Sequence, residues 1–287
     1  MGPITNILFP VDFSPSCVAM APYVKRAAAM YGASVSLIHV FDPASYSGFE
    51  LYLRRPAEIA EEHQEIALER LNAFLAAEFP VAAHPRIQAS GDPASEIAAA
   101  ARKGFDLIVM PTHAGTFRRM LLGSTTAKVL NDADCPVMTS RHAEEVAPRS
   151  LEHRVWLCAI GVGEDSARVL AYAERAASAV NARLCLIHAI QSADPALPLQ
   201  LDLEEQLQSQ EKQAALGRIR ALQQKIGSTA AVKIVAGPVK EALLGAVRQL
   251  DADVLMIGRS PQSGAAGRLR DLTYATVRDS PLPVLSI

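Results

Sequence analysis

The chain has 287 residues, of which 50% are hydrophobic and 20% are charged, and its formal net charge is -2. This length fits two domains of average size, and the high apolar content excludes an intrinsically disordered chain. A net charge so close to zero gives no general attraction to nucleic acid or to an anionic membrane, so any anion site has to be local.

No apolar run approaches the roughly 20 residues that cross a bilayer, and the first residues lack the basic start and long apolar core of a signal peptide. We therefore expect a cytoplasmic protein that binds neither membrane nor nucleic acid. The four cysteines form no CxxC pair and predict small buried side chains rather than a zinc or redox site; they are Cys17, Cys135, Cys158 and Cys185. We expect no protein metal site.

Strand and helix patterns alternate along the first half. ILFPV and SLIHV are short apolar runs typical of buried strands, and the segment from Ser16 to Tyr31 between them has helical spacing. A second helix is predicted from Ala57 to Phe79, followed by the strand RIQAS. Asp92 and Pro93 have the residue types of an N-cap and a first helical position, so they predict a third helix. The strand DLIVM, a helix from Ser124 to Asp132 and the strand PVMTS complete the series.

The second half repeats the first. The segment from Asn6 to Val40 aligns without a gap on the later segment from Val155 to Ala189, so that His39 falls on His188. Further along, FDLIVMP matches ADVLMIG and CPVMTS matches LPVLSI. Such self-similarity indicates an internal duplication, with domains at residues 1–142 and 153–287 and a polar linker at 143–152. The alternating pattern predicts an α/β protein with two tandem, doubly wound, Rossmann-like domains, each with a five-stranded parallel sheet.

Ligands of such sheets lie at the carboxyl ends of the strands, where the strand order reverses. There the stretch MPTHAGTFRRMLLGSTTAKVL follows the fourth strand. The fourth helix begins with Gly123, Ser124 and Thr125. The unpaired backbone N–H groups and the dipole of a helix start predict a phosphate-binding site there. Arg118 and Arg119 add positive charge nearby. Simple capping of the helix by Ser124 is the alternative interpretation.

Three further polar residues lie at or near the ends of the predicted strands. Asp12 follows the first strand, where its carboxylate either accepts hydrogen bonds from ribose hydroxyls or caps the first helix, a role that Ser14 can also fill. His113 either reaches a phosphate or fills the loop. His39 lies inside a strand and recurs as His188, so we expect a core histidine whose hydrogen bonds are satisfied.

Several motifs together resemble the universal stress protein family. They are PVDFS, LIHV, MPTH, LLGS with TTAKVL, and DCPV in the first half, and LIHA, LMIGRS and SPLPVLSI in the second. The resemblance implies an adenine nucleotide alpha hydrolase-like fold with strand order 3-2-1-4-5 and dimerisation through the last strand. It also implies that ATP is held by a Gly-x2-Gly-x9-Gly-Ser/Thr pattern.

Carried over by position, the resemblance assigns the adenine and ribose to the ends of the first two strands, and the phosphates to the start of the fourth helix. Pro111 replaces the first glycine of the pattern, and the following loop is one residue shorter. The expected ligand is ATP, or AMP or ADP, with or without Mg²⁺. The predicted binding residues are Pro10, Val11, Asp12, Val40, Met110, Pro111, Thr112, His113, Arg118, Arg119, Gly123, Ser124 and Thr125.

The second copy departs from this pattern. Gly161 stands where Asp12 stands in the first copy, and Gly123 and Ser124 fall on Arg270 and Asp271. We therefore expect that the second copy has lost the phosphate-binding site and serves as a partner of the first. Pairing of the two fifth strands would imitate the family dimer inside one chain and would cover an exposed edge; a homodimer remains open.

Three functions follow from these residues. The first is a stress-response protein that binds an adenine nucleotide in its first copy. The second is an enzyme, a nucleotide hydrolase or adenylyl transferase with Asp12 and His113 as acid and base, which is disfavoured because no catalytic triad or paired carboxylates can be assembled. The third is a nucleotide-free interaction protein with vestigial sites.

Overall fold

The computed structural model describes residues 3–42, 56–112, 122–140, 154–163, 165–190, 201–259 and 266–287, without the side chains at 56–63, 201–204 and 266–272. The chain forms two compact units, Met1–Arg149 and Ser150–Ile287. The predicted linker at 143–152 lies outside the described residues, so its bounds stay a prediction. Of the helices described, none combines the length and apolarity needed to cross a membrane.

The first unit is a parallel sheet whose strands alternate with helices. Its strand order is β3-β2-β1-β4-β5, which confirms the predicted fold and places the reversal of strand order between β1 and β4. The elements are β1 (Asn6–Pro10), α1 (Pro15–Tyr31), β2 (Ser34–Phe41), α2 (Pro56–Ala73), β3 (Arg86–Ser90), α3 (Pro93–Ala101), β4 (Leu107–Pro111), α4 (Ser124–Asp132) and β5 (Val137–Ser140).

The second unit has the same topology. Its parallel strands run in the order β10-β9-β6-β7-β8, which is the order of the first unit under the internal alignment. The elements are β6 (Val155–Ala159), α5 (Ser166–Ala179), β7 (Arg183–Ile190), α6 (Leu201–Ile226), β8 (Ala231–Ala236), α7 (Val239–Gln249), β9 (Val254–Ile257), α8 (Ala266–Asp279) and β10 (Val284–Ser286).

Local capping signals explain where the first and third helices begin. The Ser14 side chain accepts a hydrogen bond from the Cys17 N–H, and Pro15 supplies the first helical residue of α1. Asp92 accepts from the Ser95 N–H and is followed by Pro93, as the sequence predicts. Ser14, and not Asp12, is therefore the N-cap of α1, which leaves the Asp12 carboxylate for another role.

The second helix ends at Ala73, so the predicted end at Phe79 is wrong. Leu75 adopts a left-handed conformation with φ of 52° that stops the helix. The Arg86 guanidinium then pairs one carbonyl group in the last turn of α2 and three in the segment between α2 and β3. Its nitrogens donate to the carbonyl oxygens of Leu71, Phe74, Phe79 and His84 at 3.1, 3.3, 2.7 and 3.1 Å.

The duplication extends to single hydrogen bonds. Asp106 Oδ2, just before β4, accepts from the backbone N–H groups of Thr5 and Asn6 at 2.8 and 3.0 Å. Asp253 Oδ2, just before β9, accepts from those of Arg154 and Val155 at 2.7 and 2.8 Å. In each unit a carboxylate thus ties the start of the first strand to the start of the fourth.

The Asp106→Ala variant is expected to loosen the start of β1. Loss of a charged acceptor for two N–H groups at a part-exposed position costs about 1 kcal/mol, so amide exchange at the start of β1 should accelerate by about fivefold while exchange in β6 stays unchanged. Hydrogen exchange followed by mass spectrometry measures both strands at once. The matched Asp253→Ala variant should show the reverse pattern, and unchanged exchange in both variants would contradict this role.

Candidate functional site

A cavity of about 240 Å³ lies at the carboxyl ends of β1, β2 and β4 in the first unit. This is the place where the strand order reverses and where ligands of doubly wound sheets bind. Helices α1, α3 and α4 complete its walls. The lining residues are Pro10, Val11, Asp12, Cys17, Ile38, His39, Val40, Pro93, Ile97, Met110, Pro111, Gly123, Ser124, Thr125 and Thr126.

The cavity brings together most of the residues predicted from the sequence to bind nucleotide. Thr112 lies beside it, is 2% exposed, and does not line it. His113, Arg118 and Arg119 lie outside the described residues. The predicted residues that line the cavity are Pro10, Val11, Asp12, Val40, Met110, Pro111, Gly123, Ser124 and Thr125. Their role in binding stays a prediction.

The N-terminus of α4 forms one wall. Gly123 is the N-cap residue and no side chain caps the helix, so capping by Ser124 does not occur. The Gly123 N–H donates to the Thr112 carbonyl at 2.9 Å. The next three N–H groups, of Ser124, Thr125 and Thr126, have no acceptor among the described residues, as the geometry of a helix start dictates. The wall therefore carries open donors and the positive end of the helix dipole.

Thr126 is a lining residue that the sequence analysis missed. Its Oγ1 donates to the Pro111 carbonyl at 3.2 Å, and the residue is 4% exposed. This bond ties the first turn of α4 to the end of β4. The available signal was its place in the first helical turn, where side chains point back toward the helix N-terminus.

Asp12 lies on the β1 side of the cavity. Its Oδ1 accepts from the Ser14 N–H at 3.0 Å and from the Cys17 thiol at 3.1 Å. Its Oδ2 has no hydrogen-bond partner in the part of the chain that the structure describes. An exposed carboxylate that is held by one oxygen has the other oxygen free to accept hydrogen bonds from a ligand.

His39 supports the end of β1 from β2. Its Nδ1 donates to the Val11 carbonyl at 2.9 Å, and His188 makes the matching bond to Ile160 in the second unit at 2.7 Å. The predicted structural histidine is thus hydrogen bonded, and it also lines the cavity. Burial is the main cause that lowers the pKa of His39; Arg70 lowers it further, while the Val11 bond and Asp12 oppose the shift. The imidazole is therefore neutral near pH 7.

Phe13 joins Asp12 to the start of α1 in a left-handed conformation, with φ of 63°. Such a conformation costs a residue with a side chain about 1–2 kcal/mol, so the surroundings have to hold it. The ring lies 4.3 Å from the His39 ring and 5.3 Å from the Phe74 ring, centroid to centroid, and the Arg70 guanidinium lies 4.4 Å from it. These contacts fix the turn that carries Asp12.

An ion pair joins α3 and α4, two of the helices that form the cavity walls. Lys128 Nζ of α4 lies 2.9 Å from Oδ1 of Asp92, the N-cap of α3. The bonds from Lys128 and Ser95 lower the pKa of Asp92 to about 2. Both side chains are exposed, so we assign the pair a role in helix placement and little stability.

The second unit is built differently at the matched positions. Under the internal alignment, Ser124–Thr126 fall on residues 271–273, which lie inside α8 because that helix begins at Ala266. Their N–H groups are therefore within a helix and not at its start. Gly161 provides no carboxylate where Asp12 stands. A Cβ on Gly258, which matches Pro111, would lie 2.8 Å from Val169 Cγ2.

No group of three or more His, Cys, Asp or Glu side chains that could hold a metal ion occurs among the residues the structure describes.

Comparison with known proteins points to one family. The sequence model of the universal stress protein family matches twice, at residues 3–141 and 154–287. Universal stress protein MJ0531 of Methanocaldococcus jannaschii is 33% identical over 137 residues, which cover 46% of this chain and 79% of that protein. A universal stress protein of Thermus aquaticus, encoded in the QAH/OAS sulfhydrylase 3′ region, is 33% identical over 141 residues, 47% of this chain and 98% of that protein.

A solved structure spans both units. The crystal structure of a universal stress protein from Archaeoglobus fulgidus aligns with a TM-score of 0.66, covering 98% of this chain and 95% of that one at 22% identity. This identity supports the fold alone. The family resemblance drawn from the motifs is confirmed for both halves of the chain by the double match of the family model.

His39 should make the first unit less stable in mild acid. Because burial lowers the folded-state pKa, the contribution of neutral His39 is complete above the unfolded pKa of about 6.5 and is lost as the pH falls from there toward the folded value. We expect His39→Asn, which keeps a donor for the Val11 carbonyl, to reduce the loss of unfolding free energy between about pH 7.5 and pH 5.5. Chemical denaturation at both pH values measures it, and an unchanged pH dependence would exclude His39 as its source.

Proposed function

Because the chain belongs to the universal stress protein family, we propose that its first unit binds an adenine nucleotide in the cavity at the carboxyl ends of β1, β2 and β4. The proposed ligand is ATP, with AMP or ADP as alternatives. The proposed biological role is that of a nucleotide-dependent module in a stress response, and the second unit is its partner without a nucleotide of its own.

The observation that carries the proposal is the open start of α4 in the cavity wall. Three backbone N–H groups that have no acceptor among the described residues, at Ser124, Thr125 and Thr126, lie at the positive end of a helix dipole. The hydroxyl groups of Ser124 and Thr125 add two further donors. Such a helix start binds phosphate without any need for a positively charged side chain.

The remaining walls suit a nucleoside. Asp12 offers the hydroxyls of a ribose its Oδ2, which has no partner in the described part of the chain, while apolar side chains, among them Val40, Ile97 and Met110, line the cavity. A largely apolar cavity with a few polar groups at its ends is the usual form of a small-molecule site. The polar groups therefore match the two polar parts of a nucleotide, and the apolar part matches its base.

ATP binding tests the proposal. Isothermal titration should give a micromolar dissociation constant and one site per chain, and Gly123→Val should weaken binding at least about tenfold because its side chain obstructs phosphate at the helix start. The matched Arg270→Val variant in the second unit should bind as the wild type does.

The same titration separates the alternatives. Two equal sites per chain would contradict the assignment to the first unit. Absence of heat and of a thermal shift would favour a nucleotide-free interaction protein, whereas turnover of ATP that Asp12→Ala abolishes would favour an enzyme.

Thr126 should affect the phosphates more than the nucleoside. Thr126→Val removes the bond to the Pro111 carbonyl and should weaken ATP binding by about fivefold, which corresponds to about 1 kcal/mol, and weaken adenosine binding less. Thr126→Ser, which keeps the hydroxyl, should restore most of the ATP affinity. Equal losses for ATP and adenosine in titrations of Thr126→Val would show that the bond supports the cavity as a whole.

A further inference from the structure

We propose that Cys17 is a positioning residue that fixes the Asp12 carboxylate through its thiol, so that one carboxylate oxygen is held and the other stays free for the hydroxyls of a bound nucleoside. This inference rests on the proposed function of the first unit. The role differs from metal binding and from redox chemistry: the cysteine acts as a hydrogen-bond donor in the cavity wall.

The contact between Cys17 and Asp12 supports this role first. Cys17 lies in the first turn of α1, is 1% exposed and lines the cavity. Its Sγ lies 3.1 Å from Asp12 Oδ1, which also accepts the Ser14 N–H at 3.0 Å. Oδ1 therefore has two donors, one from the backbone and one from a side chain, and the carboxylate is fixed about that oxygen.

The protonation state of the Cys17 thiol also supports this role. Burial, and next the negative charge of Asp12, raise the pKa of Cys17 far above its ordinary value. The sulfur therefore keeps its proton at any physiological pH and acts as a donor. A thiol is a weak donor to a neutral group, but a charged acceptor strengthens hydrogen bonds of this kind. The same protonation makes the thiol a poor nucleophile.

The second unit supplies an internal comparison. Gly161 stands in the place of Asp12 and Ser166 in the place of Cys17. Ser166 is buried, and its Oγ would lie 3.5 Å from a Cβ built on Gly161. The fold thus places a small side chain with a donor next to this position in both units, but only the first unit has a carboxylate for it. A hydroxyl fits there, so Cys17→Ser is a conservative variant with a structural precedent in the same chain.

A cysteine that only fills space would behave differently from one that orders Asp12. If Cys17 only packs against its neighbours, its loss should weaken the binding of every ligand of the cavity equally. If Cys17 orients Asp12, its loss should weaken only ligands that hydrogen bond to the carboxylate. A ligand pair that differs in the ribose hydroxyls alone separates the two cases.

The experiment compares ATP with 2′,3′-dideoxy-ATP by titration of the wild type, Cys17→Ala and Cys17→Ser. Cys17→Ala should reduce the preference for ATP over dideoxy-ATP by about fivefold, and Cys17→Ser should restore it. Thermal unfolding of each variant checks that it is folded. If Cys17→Ala weakens both ligands equally, or if Cys17→Ser behaves like Cys17→Ala, the positioning role is wrong.

A measurement without ligand keeps this inference separate from the proposed function. The infrared S–H stretching band of Cys17, assigned by subtracting the Cys17→Ser spectrum, should lie at the low frequency of a thiol that donates to a carboxylate. In Asp12→Ala it should move to higher frequency, because only the longer contact of Sγ with the Pro10 carbonyl, at 3.8 Å, remains. If ATP does not bind the wild type, the proposed function fails and with it the ribose part of the inference, while a low-frequency band still supports the Cys17–Asp12 bond. A band at the free position in the wild type overturns the inference whatever the titrations show.

Discussion

The first turn of α4 has backbone N–H groups that the helix cannot satisfy by itself, and the chemistry of the first unit follows from where those groups lie. The Gly123 N–H donates to the Thr112 carbonyl, and the three that follow lie in the cavity wall without an acceptor in the ranges that the structure describes. In the second unit the matched residues 271–273 lie inside α8, because that helix begins earlier, at Ala266. The longer helix thus places the matched N–H groups inside a helix and not at its start, while the strand order of the unit stays the same.

Hydrogen bonds to backbone carbonyl groups hold the cavity walls in place. His39 binds the carbonyl of Val11 at the end of β1, and Thr126 binds that of Pro111 at the end of β4. Cys17 and Ser14 then orient Asp12 between them. Because these residues come from β2, α1 and α4, the geometry of the cavity depends on the packing of the whole unit, which is how a rigid scaffold preorganises a site.

The sequence predicted what depends on local signals. The buried strands, the Asp92 cap with Pro93, and α4 from Ser124 to Asp132 follow from short patterns and were confirmed. The end of α2 was not predicted, because it depends on the left-handed conformation of Leu75 and on Arg86, a residue of the next strand that donates to the Leu71 carbonyl. Ile97 was missed as a lining residue because helix packing brings it to the cavity and no motif marks it. Thr126 lies in the motif TTAKVL, but its place in the cavity wall depends on how α4 packs against the end of β4.

The most direct test of the account follows single backbone amides in the protein labelled with ¹⁵N as ATP is added. We predict that the amide resonances of Ser124, Thr125 and Thr126 shift strongly, as expected for N–H groups that begin to donate to phosphate, while those of the matched residues Asp271, Leu272 and Thr273 stay in place. Two results would contradict this prediction. ATP would bind without shifting the α4 resonances, or it would shift those of α8 instead.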